Sequence, residues 1–234
     1  MKLKSSCFLS LFFLFTQLNA QQTMSNKPQL VYVFDPMCGW CFAFGNVVEQ
    51  FQQKYANEFD FSVVTGGMVV GENQKPLSHM RDYIKSAIPR LEKITGAKFG
   101  EKYLNEILEP GTYISSSEKP SFAFVTFKNL QPEKSIAFAH ALQKTFFIEG
   151  NSLNEDETYK ALAKQFSINE AAFIKALNSN EARKAAFKEF ELSRNWGVSG
   201  YPAVLLFHNG KGYMVSNGYT DLASLEKQVE KLLK

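Results

Sequence analysis

Two of the three cysteines in this chain, Cys38 and Cys41, are separated only by Gly39 and Trp40. The third, Cys7, lies in a segment that we expect to be removed. A disulfide between two cysteines this close restrains almost nothing in the unfolded chain, so it adds little stability. The fold must therefore rest on its apolar core, without a structural cross-link. We interpret the pair as chemically active.

Residues 1–20 have the pattern of a secretory signal peptide. Lys2 and Lys4 precede an apolar run from Phe8 to Phe15, and a small-residue cleavage site follows. The run is shorter than the roughly 20 residues that cross a bilayer, and no later uncharged segment reaches that length. We predict a periplasmic or secreted protein without stable membrane insertion. A lipid anchor on Cys7 is a weaker alternative, because no apolar lipobox residue precedes that cysteine.

The charge of the chain gives no case for a nucleic-acid partner or an anionic membrane. Without Lys2 and Lys4, 24 Lys and Arg residues face 23 Asp and Glu residues, a net charge of +1. Binding to nucleic acid or anionic lipid depends on a basic surface, which this balance does not indicate. The hydrophobic content of 45% suffices for one large core, or for a core and a subdomain.

The chain after the leader opens with a predicted β-α-β unit. Leu30 to Phe34 is a β-prone apolar run that ends at Asp35-Pro36, which favours a buried strand. A helix is predicted from about Cys38, and Phe59 to Thr65 is predicted to be a second strand that stops at Gly66-Gly67. The inner face of the helix is predicted to comprise Phe44, Val47, Val48, Phe51 and Tyr55.

The middle of the chain, residues 68–197, has mostly helical periodicity. An apolar stripe predicts a helix over 80–94, and we assign that stripe to ordinary core. Pro132 suits the first position of a helix, and Asn154 with Glu157 resembles a capping box. Two further helices are predicted over 170–177 and 181–196. The stripe consists of Met80, Tyr83, Ile84, Ala87, Ile88, Leu91 and Ile94.

The end of the chain returns to β structure. Ala203 to Phe207 is a predicted strand, Asn209-Gly210 is a hairpin signal, and Tyr213 to Ser216 is predicted to pair antiparallel before a closing helix from Leu222. The order β-α-β, helical block, β-β-α predicts an α/β thioredoxin fold with a large all-helical insertion. The predicted domains are a thioredoxin-like domain over 21–67 and 198–234, with the insertion over 68–197.

The cysteine pair has the spacing that thiol-disulfide exchange requires. Cysteines three apart in a first helical turn lie on one face, at a separation that a disulfide can bridge. Cys38 is placed at the helix start, where free N–H groups favour a thiolate, so we assign it as the attacking cysteine and Cys41 as the resolving cysteine. Gly39 and Trp40 carry no charge, so these two residues do not indicate the redox potential of the pair. Asp35 is interpreted as part of a strand-ending turn, although an inward carboxylate would disfavour the thiolate.

Metal and haem sites are less consistent with the sequence. A zinc site needs four ligands, whereas this chain has one cysteine pair and scattered histidines. Haem attachment needs a histidine after the second cysteine, where Phe42 stands. Copper(I) accepts two thiolates, so copper carriage stays open. We predict no metal and no cofactor, and packing or surface roles for His79, His140 and His208.

A second motif, Val198 to Pro202, directly precedes the third strand, at a place where an X-Pro bond is compatible with a tight cis turn. With this proline and the segment Asp-Pro-Met-Cys-Gly-Trp-Cys, nearly the whole chain after the leader resembles the DsbA family of thioredoxin-fold oxidoreductases, in the branch of predicted protein-disulfide isomerases likened to FrnE. The resemblance implies that Pro202 is a cis-proline against the cysteine pair. It also implies that the backbone of Tyr201 pairs with an extended substrate segment, with Gly39 and Trp40 as further substrate contacts.

Two departures from the family pattern limit what is carried over. Thioredoxin and DsbA carry a buried acid six residues before the first active-site cysteine, and this chain has Tyr32 there. The usual proton acceptor for the resolving cysteine is thus absent or supplied elsewhere. The dipeptide between the cysteines also differs from that of DsbA, so the strongly oxidising character of DsbA is not implied.

We therefore predict an exported thiol-disulfide oxidoreductase that acts on cysteine-containing protein substrates and is recycled by a redox partner protein. The direction of electron flow is open. One alternative is a glutathione-dependent isomerase or transferase of the kappa type, an enzyme class that has little use for Cys41. The other alternative is a non-enzymatic peptide-binding chaperone or copper carrier.

Overall fold

The computed structural model describes residues 27–234, and the predicted leader lies outside them. Four strands form one sheet in the order β2-β1-β3-β4, with β1 parallel to β2 and antiparallel to β3, and β3 antiparallel to β4. This arrangement confirms the predicted thioredoxin fold. The strands are β1 (Gln29–Phe34), β2 (Asp60–Thr65), β3 (Ala203–His208) and β4 (Lys211–Asn217).

Six of the α-helices in the described chain lie between β2 and β3. Helix α1 (Gly39–Tyr55) follows β1 and helix α8 (Leu222–Leu233) ends the chain. The intervening helices are α2 (Arg81–Thr95), α3 (Glu118–Leu130), α4 (Ser135–Phe147), α5 (Asp156–Gln165), α6 (Glu170–Leu177) and α7 (Asn180–Asn195). Within residues 27–234 no helix combines the length and apolarity that crossing a bilayer requires.

The sheet and the helical insertion share one core. Side chains alternate across β1, so Tyr32 and Phe34 face one side of the sheet while Val31 and Val33 face the other. Tyr32 packs against Phe44 of α1, with ring centroids 5.5 Å apart, and Phe34 packs edge-on against Phe124 of α3 at 4.9 Å. Because one strand contacts both parts, the insertion is packed into the fold rather than appended to it.

Several local predictions are confirmed. Asn209 and Gly210 have φ angles of 51° and 73°, the left-handed conformations that a tight hairpin between β3 and β4 requires. The predicted helices over 170–177 and 181–196 correspond to α6 and α7, and each begins at a side-chain cap, Asn169 and Ser179 respectively.

Two local predictions are wrong. Asn154 does not cap a helix: α5 begins after Glu155 without a side-chain cap, and the Asn154 amide instead donates to the carbonyl oxygen of Ile114. The apolar stripe of α2 is not ordinary core either. Leu91 is buried, but Met80 and Tyr83 are 50% and 65% exposed. Helical spacing reports that residues share a face, and it does not report what covers that face.

An ion pair ties the insertion to the edge of the sheet. Lys128 of α3 pairs with Glu189 of α7, and its ammonium also donates to the carbonyl oxygen of Val63. The Glu189 carboxylate accepts a 2.8 Å hydrogen bond from the backbone N–H of Thr65. Both side chains are largely buried, so each charge depends on the other and on the end of β2.

Replacing Lys128 with methionine is therefore expected to destabilise the protein by about 2 kcal/mol, because it leaves the Glu189 carboxylate without its cation. The free energy of unfolding in urea measures the loss. The control is Lys160→Met, which breaks the exposed pair with Glu157 and is expected to change nothing measurable. Equal effects of the two substitutions would contradict the importance given to the buried pair.

A dithiol beside a cis-proline forms the candidate active site

The two cysteines lie where β1 turns into α1. Cys38 is the residue before the first helical residue, Gly39, and its backbone N–H donates to the carbonyl oxygen of Asp35 at 3.1 Å. Cys41 lies in the first turn. Both are free thiols, Cys38 only 6% exposed and Cys41 fully buried. The chain thus presents one thiol at the helix start and holds the other beneath it.

The loop before β3 meets Cys38. The Tyr201–Pro202 peptide bond is cis, as the family resemblance implies. The Cys38 thiol donates a hydrogen bond to the Tyr201 carbonyl oxygen, with sulfur and oxygen 3.4 Å apart. The carbonyl oxygen of Pro202 accepts from the N–H of Gly218, which fixes the loop to the end of β4. Residues 163 positions apart in the chain are therefore brought into one site.

The two residues between the cysteines lie at the edge of the site. Gly39 faces the insertion, where an added Cβ would come within 3.4 Å of the Phe99 ring. The Trp40 ring is half-buried against Tyr219, with centroids 6.1 Å apart. Both residues line a cavity that also touches Cys38. Their predicted contact with substrate stays a prediction.

Asp35 is more than a turn residue, and the interpretation of it as a simple strand-ending turn is incomplete. Its side chain is fully buried. One carboxylate oxygen accepts from the N–H of Met37 at 2.9 Å and from the hydroxyl of Ser117 at 2.8 Å, and the other accepts from the N–H of Met68 at 2.8 Å. Burial raises the pKa of the Asp35 carboxyl, and these three hydrogen bonds oppose that rise.

Cys41 is held as a thiol. Burial raises its pKa well above the ordinary value, the neighbouring Cys38 raises it further, and a negative charge on Asp35 acts in the same direction. A hydrogen bond from the Asp35 backbone opposes these effects. The buried acid that acts on Cys41 in this chain is thus Asp35, three residues before Cys38, whereas Tyr32 stands six residues before it.

Tyr32 occupies the family's usual acid position without replacing the acid. Its hydroxyl donates to the carbonyl oxygen of Cys41 at 3.4 Å. Burial raises the pKa of Tyr32 well above its ordinary value, and negative charge on Cys41 and Cys38 adds to the rise. The phenol therefore stays protonated and acts as a donor.

Gln143 is a site residue that sequence reasoning missed. The helical spacing places it on the inner face of α4, where it is fully buried. Its amide nitrogen donates to the carbonyl oxygens of Asp35 and Cys38, at 3.1 and 3.2 Å. A polar residue within an otherwise apolar helix face was the available signal, because a buried amide requires partners.

In the described part of the chain, no hydrogen bond joins a histidine to either thiol. His140 pairs through Nδ1 with the Glu49 carboxylate at 2.9 Å, and His79 lines the cavity beside Cys38. Within residues 27–234, no cluster of three or more His, Cys, Asp or Glu side chains is placed to hold a metal ion.

Removing the Asp35 charge is expected to lower the pKa of the Cys41 thiol, since a thiolate there would no longer face a buried anion. The Cβ carbon NMR shift of Cys41, followed across pH in a Cys38→Ser background, measures this pKa with and without Asp35→Asn. Ser117→Ala is the control, because it removes one hydrogen bond to the carboxylate but keeps the charge. An unchanged Cys41 pKa in the Asp35→Asn variant, with the fold intact by circular dichroism, would contradict the role of the carboxylate.

Known proteins resemble this chain over most of its length. The structure of a candidate protein disulfide isomerase from Nitrosomonas europaea matches with a TM-score of 0.78 and 27% identity, covering 88% of this chain and 98% of the other. The cytosolic disulfide reductase DsbM from Pseudomonas aeruginosa shares the fold, with a TM-score of 0.73, 21% identity and the same two coverages.

One sequence relative is named as an adapter protein rather than as an oxidoreductase. The ClpXP adapter protein SpxH of Bacillus subtilis strain 168 is 21% identical over 198 residues, which cover 83% of this chain and 64% of SpxH. The chain thus spans less than two thirds of the length of that relative. The thioredoxin family model matches residues 32–226, which include both cysteines and the cis-proline. The chain belongs to the thioredoxin family.

Proposed function

We propose that this protein is a thiol-disulfide oxidoreductase that exchanges disulfides with cysteine-containing proteins through Cys38 and Cys41. The observation that carries the proposal is the approach of Cys38 to the Tyr201 carbonyl oxygen at 3.4 Å, beside the cis Pro202 and above the buried Cys41. A pair of thiols held three residues apart at a helix start has both an attacking and a resolving group.

The two thiols have different roles in the proposed reaction. Cys38, at the start of α1, is the more exposed of the two thiols, so it is the one that meets the substrate. Its thiolate attacks a substrate disulfide, so that a mixed disulfide forms while the substrate disulfide breaks and one substrate sulfur leaves as a thiolate. Cys41 then attacks the Cys38 sulfur, its proton passes to the departing second substrate sulfur, and that sulfur leaves as a thiol. The substrate gains two electrons and the pair becomes a disulfide; the same steps in reverse oxidise a substrate.

The Tyr201 carbonyl oxygen loses its hydrogen bond from Cys38 once that thiol is deprotonated or joined to a substrate. In the dithiol state this oxygen accepts the hydrogen bond of the Cys38 thiol. Once Cys38 is in a mixed disulfide it has no proton to donate, and the oxygen is free to accept an N–H of an extended substrate. This supports strand-like pairing of a substrate with Tyr201, which gives affinity with little sequence dependence.

The burial of Cys41 favours this proposal over its alternatives. A kappa-type isomerase or transferase that uses glutathione, a peptide-binding chaperone, and an adapter of the kind named for the SpxH relatives all need no second thiol beneath the first. A copper carrier would use both sulfurs as ligands and would not turn over. Each alternative therefore predicts a consequence of replacing Cys41 that differs from the one that thiol-disulfide exchange predicts.

The proposal predicts that Cys41→Ser accumulates mixed disulfides with proteins, because nothing displaces the substrate from Cys38. Non-reducing gels and mass spectrometry of the adducts identify Cys38 as the linked residue. Cys38→Ser is the matched control and is expected to trap at most a trace. Undiminished small-molecule turnover by Cys41→Ser, without protein adducts, would contradict the proposal. It would support the glutathione-dependent enzyme instead.

We further propose that the protein acts outside the cytosol, which rests on the leader pattern of residues 1–20. Mass spectrometry of the protein from a cell fraction outside the cytoplasmic membrane is expected to find a chain that begins near Gln21. A full-length chain that stays in the cytosol would contradict export, and it would leave the exchange chemistry as proposed.

A further inference from the structure

A cavity of about 570 Å³ opens beside Cys38. The active-site turn forms one wall through Met37 and Trp40, and helix α2 forms the opposite wall. Aromatic side chains of the insertion, among them Phe99 and Phe147, complete the lining. The α2 residues that line it are Tyr83, Ile84, Ala87, Ile88 and Leu91.

The lining of this cavity is apolar and adaptable. Lys75 and His79 are its basic groups, and no acidic side chain lines it. Met68 and Met80, which also line the cavity, are 42% and 50% exposed. Exposed methionines of this kind are typical of surfaces that accept apolar groups of varied shape, because the side chain is flexible and polarizable.

We propose that this cavity takes the apolar side chain of a residue that flanks the reacting cysteine of a polypeptide substrate. The inference rests on the proposed function and specifies its substrate. Cys38 borders the cavity and also contacts the Tyr201 carbonyl oxygen. A polypeptide joined to Cys38 can therefore pair its backbone with Tyr201 and place a side chain in the cavity at the same time. An apolar occupant also explains why an apolar helix face of α2 is left partly uncovered.

The same lining disfavours glutathione as the occupant. Glutathione carries two carboxylates and an ammonium group, and a charged group taken out of water is costly unless it is paired. The cavity offers Lys75 and His79 for the carboxylates and no acidic side chain for the ammonium. A Leu or Phe side chain has no charge to satisfy and gains from the removal of its surface from water.

The experiment measures attack by Cys38 on three disulfides in a Cys41→Ser background. Each is a mixed disulfide with thionitrobenzoate: a blocked peptide with leucine on both sides of cysteine, the same peptide with glycine there, and glutathione. The Cys38 thiolate, its proton passed to buffer, forms a disulfide with the peptide sulfur. The original disulfide breaks and thionitrobenzoate leaves as a coloured thiolate, whose release gives the rate.

The leucine peptide is expected to react about tenfold faster than the glycine peptide, the ratio that burial of one large apolar side chain supplies. Replacing Met68 and Met80 together with glutamate is expected to reduce the ratio to about two or less. Ile94→Glu is the control: Ile94 is 52% exposed on α2, which forms a wall of the cavity, but it does not itself line the cavity, so the ratio is expected to stay unchanged.

Three results would overturn the inference while leaving the proposed exchange function in place. They are equal rates for the two peptides, a leucine preference that survives both glutamates, and a glutathione derivative that reacts faster than the leucine peptide. Failure of Cys38 to react with any of the three disulfides would instead overturn the proposed function, and the inference with it.

Discussion

A buried carboxylate holds the active-site turn of this protein in place. Asp35 accepts hydrogen bonds from the segment after β1, from the segment after β2 and from the residue before α3, through Met37, Met68 and Ser117. A charge out of water costs several kcal/mol unless donors surround it. These three segments are therefore held together when the protein is folded and Asp35 is ionised. The thiol pair begins at the turn that these hydrogen bonds fix.

This arrangement makes the helical insertion part of the candidate active site. Ser117 and Gln143 come from the insertion, and Gln143 contacts the carbonyl oxygens of both Asp35 and Cys38. The thioredoxin-like part supplies the two thiols and the cis-proline loop. The insertion supplies donors beneath the turn and one wall of the neighbouring cavity. The chemistry of the pair and the shape of its surroundings therefore come from different parts of the chain.

Sequence reasoning was sufficient where the determinants are local. The strands, the Asn209-Gly210 hairpin and the place of Cys38 at a helix start follow from short patterns, and the structure agrees with them. The inward side chain of Asp35 was not predictable, because its partners Met68 and Ser117 lie 33 and 82 residues away. The same limit applies to the stripe on α2, whose spacing is that of a core helix although a cavity lies against it. What a face packs against is set by tertiary structure, which periodicity does not encode.

The proposed function requires Cys38 and Cys41 to form a reversible redox pair. Its most direct test is equilibration of the purified protein in buffers of reduced and oxidised glutathione, with the intramolecular disulfide quantified by mass spectrometry after acid quenching. We expect a single reversible transition in which both thiols of a chain are lost together, as one disulfide linking Cys38 to Cys41. Thiols that stay reduced in every buffer, or that end as stable separate glutathione adducts, would contradict it.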